Sequence, residues 1–463
     1  YSAFLSPIEK LYVSYSLASS EGAGLRPSHI IGRLRLIFPG LELKSGLKQE
    51  NYLATPAAGL ALLFSSARNG LSGELGDFLS YLKQKEDPNI SLLERALSPA
   101  KRARIEPQRA QELFFPRSSV SVSRLETQAL CPYMHFVRYG LAPERSEDYK
   151  LNVRDAGSLL HEVLESSLAY FSGRDFKKIT REEIFETAER VLAERAPEYR
   201  FGYLVSSQRA RRQTKGLAVM ARIAVFEAIR QLAAGSFMQV GRELVFAPGR
   251  DYPPIILPTS AGELKLHGVV DRADMMYLEN ERYVRIVDYK SGAAQFQAEK
   301  VADGSMLQLP LYMDAVLSAF SGARAAGAFY FHIKELEGEE KILLSGPSVN
   351  IPEVIEGMDP GALNGENGVL SLRKSKSGLT GKNLLSPGGF DRLLSLARAR
   401  AGEIAADIAS GKIEGAPLDY GEQESPCRYC EHGLLCGLKE KGVFLRKACS
   451  GLELEEKQPE DSE

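Results

Sequence analysis

The chain has 463 residues, with 58 Lys and Arg against 60 Asp and Glu and a formal charge of −2. It is long enough for two or three cores and carries no bulk charge that would by itself draw it to nucleic acid. Five cysteines in so long a chain do not make a disulfide scaffold. The apolar run Ala54–Ala67 is too short to span a bilayer and lacks the charged flank of a signal peptide, and no G-x-x-x-x-G-K-[ST] occurs. These exclusions predict a cytoplasmic chain with no membrane partner and no P-loop of its own.

In chain order, the sequence starts at Tyr1 rather than Met, the mark of a fragment or a trimmed form. Ser6–Leu41 predicts a strand over Leu11–Leu17, a loop, and a helix ending near Phe38. Leu47–Leu97 has the Ala-Leu periodicity of two or three helices with a break at Asp87-Pro88. Residues 99–117, basic and Pro-containing, read as a connector. Ser118–Leu204 is patterned mainly for helices, and strands begin near Arg242. A helix over Met306–Phe320 and a strand over Ala325–Ile333 complete an expected α/β domain, a small mixed sheet with helices around it. Gly357–Gly381 reads as a loop, Phe390–Ser410 as a helix, and the acidic residues 451–463 as a disordered tail.

The chemistry-bearing residues gather around a hairpin. Leu264–Leu278 and Glu281–Lys290 are rich in Val, Ile and Tyr on either side of Glu279-Asn280. With those two as the loop, Leu278 faces Glu281, and counting back puts Asp271 opposite Asp288. Opposed Cβ atoms lie only about 4.5–5.5 Å apart. Two carboxylates there repel unless a cation such as Mg²⁺ or Mn²⁺ sits between them. Lys290 falls on the same face as Asp288, where an ammonium can stabilise charge developing on a phosphate. An Asp-x-Lys alone is equally an ordinary strand ion pair, and a one-residue slip would break the alignment.

Upstream, Leu160, Leu164, Leu168 and Phe171 form a helical apolar stripe beside His161, which fits a core histidine as well as a ligand. Gln308 and Tyr312 share a helical face if the helix has begun by Gln308, and Pro310 fits only its first turn. Local basic runs occur at Lys101–Arg109, at Arg373–Lys382 and at Arg209, Arg211, Arg212 and Lys215. Each is a solvated face or a strand-feeding surface for DNA. Cys427, Cys430 and Cys436 form a C-x₂-C-x₅-C group that needs one more ligand, and Cys131 is the candidate. From spacing alone a Cys₄ zinc site, a Cys₃His site with His432, or reduced thiols remain open. Cys449 is left over as a free thiol.

Five segments in order, Gly157–His161, Glu243–Phe246, Gly268–Arg272, Val287–Gly292 and Gln308–Tyr312, resemble the RecB-type branch of the PD-(D/E)xK nuclease superfamily. The resemblance implies that His161, Asp271, Asp288 and the Tyr289 carbonyl bind Mg²⁺ or Mn²⁺, with Lys290 catalytic and Gln308 and Tyr312 supporting DNA. Glu243 is its weakest match, since an acid opening a strand is common. Ser121–Glu126 and Cys131–Phe136 resemble the start of the nuclease module in AddB-type subunits of bacterial helicase–nucleases and in the CRISPR-associated small exonucleases. In that family the four cysteines hold a 4Fe-4S cluster that fastens the two ends of the module. Residues 1–98 resemble the end of a superfamily 1 helicase-like domain, which makes 118–450 the expected nuclease domain. The resemblance implies an exonuclease cutting 5′-terminated single strands for double-strand-break repair by recombination, beside an AddA-type helicase partner. A DNA-binding scaffold with a vestigial centre, or a free-standing RecB-like exonuclease, are the alternatives.

Overall fold

The computed structural model describes the chain apart from residues 1–8, 18–23, 42–54, 67–72, 98–103, 116–117, 144–150, 260–261, 293–294, 335–339, 367, 376–377, 382, 422–423, 437–444, 453 and 455–463. The acidic end of the expected tail and parts of the basic runs at 101–109 and 373–382 therefore lie outside the described residues. Two compact units divide between Ser98 and Pro99. Among the described residues no helix is long and apolar enough to cross a membrane.

The first unit holds helices His29–Ile37, Pro56–Ser66, Glu74–Gln84 and Asn89–Leu97. Leu63, Leu75, Leu82 and Leu93 form its small core. The expected break falls where Asp87 accepts the Asn89 amide at 2.8 Å and Pro88 precludes a continuous helix. Residues 11–17 form no strand. They are largely exposed, and a strand without a neighbour to complete its hydrogen-bond ladder has nothing to hold it extended.

The second unit is built on one long strand. β1 (Ser119–Ser121) runs parallel to the first half of β4 (Gly262–Leu278), while β2 (Met238–Phe246) and β3 (Ile255–Thr259) pair with it antiparallel. The second half of β4 turns at Glu279-Asn280 into β5 (Glu281–Lys290). β5 pairs parallel with β6 (Ala323–His332), beyond which lie β7 (Ser348–Val349) and Leu384–Leu385. The sheet is mixed, as expected.

Helices cover both faces. α1 (Val122–Leu130) packs on one side, while α2 (Val153–Tyr170), α3 (Arg181–Arg195) and α4 (Gln208–Ala234) pack on the other. α5 (Gln308–Ala319) and α6 (Pro387–Ala409) join α1. α5 starts at Gln308 with Pro310 in its first turn, as the sequence predicts.

Three further expectations change. The connector contains helix Pro107–Phe114, because Ala110 and Phe114 are apolar on one helical face and bury in the core under α6. The expected loop after Gly357 contains a small hairpin, Arg373–Ser375 with Gly378–Thr380. At the start of the tail, Leu454 is buried and its carbonyl accepts from Arg392 Nε at 2.6 Å.

α2 approaches the end of β5 closely enough that a Cβ on Gly157 would lie 2.4 Å from Ser291 Oγ and 2.8 Å from its Cβ. Gly157→Val should therefore overpack this contact by about 1–3 kcal/mol and lower the melting temperature by roughly 2–8 °C. Thermal unfolding followed by circular dichroism tests this; an unchanged midpoint would mean the helix has room to retreat.

Candidate active site

β5 ends in Asp288-Tyr289-Lys290, and strand alternation sends these side chains into different layers. Tyr289 packs under α2, its ring 5.5 Å from the rings of His161 and Phe331. Lys290 faces α5, where Nζ donates to Gln308 Oε1 at 2.6 Å and lies 2.6 Å from Asp288 Oδ2.

The hairpin register runs from Leu278↔Glu281 to Arg272↔Val287, one step short of the expected Asp271–Asp288 pair. The two carboxylates have different partners. Asp271 Oδ2 accepts the Tyr289 amide at 2.7 Å and lies 2.9 Å from His161 Nε2. Glu243 Oε1 comes within 4.0 Å of His161 Nδ1. His161, Glu243 and Asp271 each offer a ligand atom within 4.8 Å of the others.

Glu243, the weakest match in the sequence, thus sits inside the tightest group. It does so because its backbone takes φ +47° within β2, between the pairs Arg242↔Arg272 and Leu244↔Val270. A left-handed glutamate costs about 1–2 kcal/mol. It also breaks the alternation that ordinary strand reasoning assumes.

The pocket is acidic. Burial pushes the Asp288 carboxyl up to about 6, against the pull of Lys290 and with the help of Asp271. Burial and the Asp271 charge likewise raise Glu243. Burial disfavours charge on His161, but the hydrogen bond and charge of Asp271, with Glu243 and Asp288, outweigh it and raise the imidazole. Lys290 is raised in the same way, burial being outweighed by Asp288. Carboxylates that resist ionising beside one another are a site prepared for a cation. Cis ligands on an ion at about 2.1 Å are roughly 3 Å apart, so the His161–Asp271 spacing fits shared coordination. The mixed imidazole and carboxylate donors suit Mn²⁺ as well as Mg²⁺.

Gln308 and Tyr312 both reach this pocket. The Tyr312 hydroxyl is raised by burial and by Asp288, Glu126 and Asp271, while its ring packs 5.6 Å from Phe246. Arg209, Arg211, Arg212 and Lys215 lie elsewhere, exposed at the start of α4.

Sequence reasoning gave no role to Glu126. Its Oε1 accepts the amides of Leu307 at 2.7 Å and Gln308 at 3.0 Å, capping α5 from across the core. The residue is partly exposed, but burial of its carboxyl and the nearby Asp288 raise it to about 7 against the two amides and Lys290. The only signal was its place in S-x-S-x-L-E; a cap supplied by a residue 181 positions away leaves no local pattern.

Of the four expected cysteines, Cys131 feels Cys427, and Cys430 feels Cys436 and Cys427, but among the described residues no three cysteine sulfurs lie within 4.8 Å of one another. Tyr133 is raised by burial and by the thiols of Cys436, Cys131 and Cys430. Hydrogen bonds join the two ends of the module: Tyr133 N donates to the Glu414 carbonyl at 3.0 Å, and Arg446, which also holds the Ala416 carbonyl at 2.7 Å, donates to Ala129. Cys449 is exposed.

A mixed sheet with helices on both faces and acidic residues gathered at the end of an Asp-x-Lys strand defines a nuclease-like class of site. Residues 119–437 match the PD-(D/E)XK nuclease superfamily, and the chain belongs to it. The superfamily and fold class read from the motifs are thus borne out. The chain is similar to the B-type subunit of the ATP-dependent helicase/deoxyribonuclease of Alkaliphilus oremlandii, at 29% identity over 94% of this chain and 41% of that protein. The protein of the same name from Caldanaerobacter subterraneus subsp. tengcongensis is 30% identical over 94% and 41%, and that from Clostridium tetani 28% over 92% and 40%. The chain spans about two fifths of the length of these relatives.

Because Glu126 ionises at about 7 in the fold and lower when unfolded, the folded state binds the extra proton, and this group's contribution to stability falls as pH rises from about 4.5 to 7. Glu126→Gln keeps the acceptor and removes the titration. Its melting temperature relative to wild type should rise by a few degrees between pH 5 and pH 8; a constant difference would show that Glu126 titrates normally.

Proposed function

We propose that this chain is a divalent-metal-dependent DNA nuclease that hydrolyses phosphodiesters of single-stranded DNA. The observation that carries this reading is the convergence of His161, Glu243 and Asp271 beside Asp288 and Lys290 at the end of β5. His161, Asp271 and Asp288 would hold the ion, with Glu243 and the Tyr289 carbonyl completing the shell. Such an ion, when bound, polarises a phosphate oxygen and lowers the pKa of a bound water.

The protein's own groups do the rest. Asp271 accepts the Tyr289 amide and so ties the end of β5, which carries Asp288 and Lys290, to β4. Gln308 and Asp288 aim the Lys290 ammonium, which faces charge developing on the phosphate. The names of the relatives and the split cysteine set support a further reading: a subunit of a helicase–nuclease that trims the 5′-terminated strand at double-strand breaks, with an AddA-type partner unwinding the duplex. Cys131, Cys427, Cys430 and Cys436 would hold a 4Fe-4S cluster, joining ends some three hundred residues apart.

End-labelled single-stranded DNA with Mg²⁺ or Mn²⁺ tests the centre. Lys290→Ala should slow cutting roughly 10²–10³-fold while Mn²⁺ binding by calorimetry persists. Asp271→Asn should lose both cutting and Mn²⁺ binding; an Asp271→Asn protein that does both like wild type would sink the assignment. For the cysteines, iron and acid-labile sulfide of roughly four each per chain are expected, falling sharply in Cys131→Ser. Stoichiometric zinc in their place would replace the cluster with a zinc site.

A further inference from the structure

The first two turns of α4 are assembled against their own electrostatics. Arg209, Arg211, Arg212 and Lys215 are all exposed there, and no acidic residue stands in the first turn. Among the described residues the ion pairs of this helix, Arg222 with Glu189 and Arg230 with Glu227, come further along it. Cations at a helix N-terminus oppose the macrodipole, and the spacings 209/212/215 and 211/215 make them neighbours that repel.

Just before this face, the turn Tyr199–Gly202 presents Phe201 to solvent, 91% exposed and at φ +55°. A phenylalanine takes the left-handed conformation only at a cost, and here no buried contact offsets it. The turn is held firmly all the same. Tyr199 donates its hydroxyl to the Asp155 carbonyl, Thr214 Oγ1 to the Leu204 carbonyl at 3.0 Å, and Arg211 Nε to the Val205 carbonyl at 3.3 Å. Aromatic tip and cationic face are therefore one unit, and Tyr199 ties that unit to α2. Asp155 stands in the first turn of α2, about 9 Å of helix rise before His161.

We propose that Phe201 and the N-terminal face of α4 form a platform for single-stranded DNA, one base stacking on the Phe201 ring while Arg209, Arg211, Arg212 and Lys215 meet successive phosphates. Every base offers a face to stack on, so the platform reads no sequence. It rests on the nuclease reading above and adds a path by which a strand is held beside the helix that carries His161. A duplex is a poor occupant, since its bases are already stacked on one another.

Fluorescence anisotropy of a short labelled oligodeoxythymidylate, with the full chain and a chelator to prevent cutting, tests the proposal. Phe201→Ala should weaken binding roughly 5- to 100-fold, whereas Phe201→Tyr should stay within about twofold because the ring remains. Replacing Arg209, Arg212 and Lys215 together by Gln should flatten the slope of log affinity against log salt by about 2. All these positions are exposed, so no melting temperature should fall, and relief of the cation repulsion should hold or raise that of the Gln variant. Unchanged affinity in Phe201→Ala, equal loss in the Ala and Tyr variants, or tighter binding of a duplex of the same length each overturns the platform. Asp271→Asn separates the two readings: it should bind the oligonucleotide as wild type does while cutting none, and loss of the platform alone would leave wild-type cutting of DNA intact.

Discussion

The site depends on one carboxylate that joins three elements. Asp271 Oδ2 takes the Tyr289 amide from β5 and lies against His161 from α2, while its own backbone belongs to β4. Without it, the end of β5 and the helix that carries the imidazole would have no polar tie at this point. The same interaction sets the charge balance, for Asp271 raises Asp288, Glu243 and His161 alike. Its charge opposes ionisation of the two neighbouring carboxylates and favours a protonated His161, so the pocket is prepared to receive positive charge.

Behind the pocket the sheet buries an opposite surplus. Arg272, Asp274 and Arg285 are at most 1% exposed, with both guanidinium groups on the Asp274 carboxylate and Arg285 stacked 4.8 Å from the Phe237 ring. Two cations and one anion leave net positive charge on the face of the sheet away from Lys290. Arg272 extends it to the Tyr289 hydroxyl at 3.5 Å. Burying ions is expensive unless they are paired, and here the pairing also locks the two residues that flank the site's strand crossing. The acidic pocket thus rests on a rigid, oppositely charged floor.

Much of this was legible in the sequence because it follows from short-range rules. The two-residue turn at Glu279-Asn280 fixed the register, and alternation then fixed which way Asp288, Tyr289 and Lys290 face. Apolar periodicity located α2, α5 and α6, and Pro310 marked the first turn of α5. The strand expected at Leu11–Leu17 failed for the converse reason: β propensity needs a partner, and sequence does not say whether one is near. Helix Pro107–Phe114 was missed because basic residues and proline hid a two-residue apolar face that only the core under α6 makes useful.

By itself the sequence determined the superfamily, the Asp-x-Lys strand and the hairpin pairing, since each is written in residue types at fixed local spacing. Only the tertiary structure decided that Glu243 rather than Asp288 completes the tight group with His161 and Asp271, and that Glu126 caps α5 beside the pocket. Both depend on the exact approach of elements far apart in the chain, one through a left-handed residue that breaks the strand's alternation and the other through a cap reaching across the core. Periodicity carries no record of either.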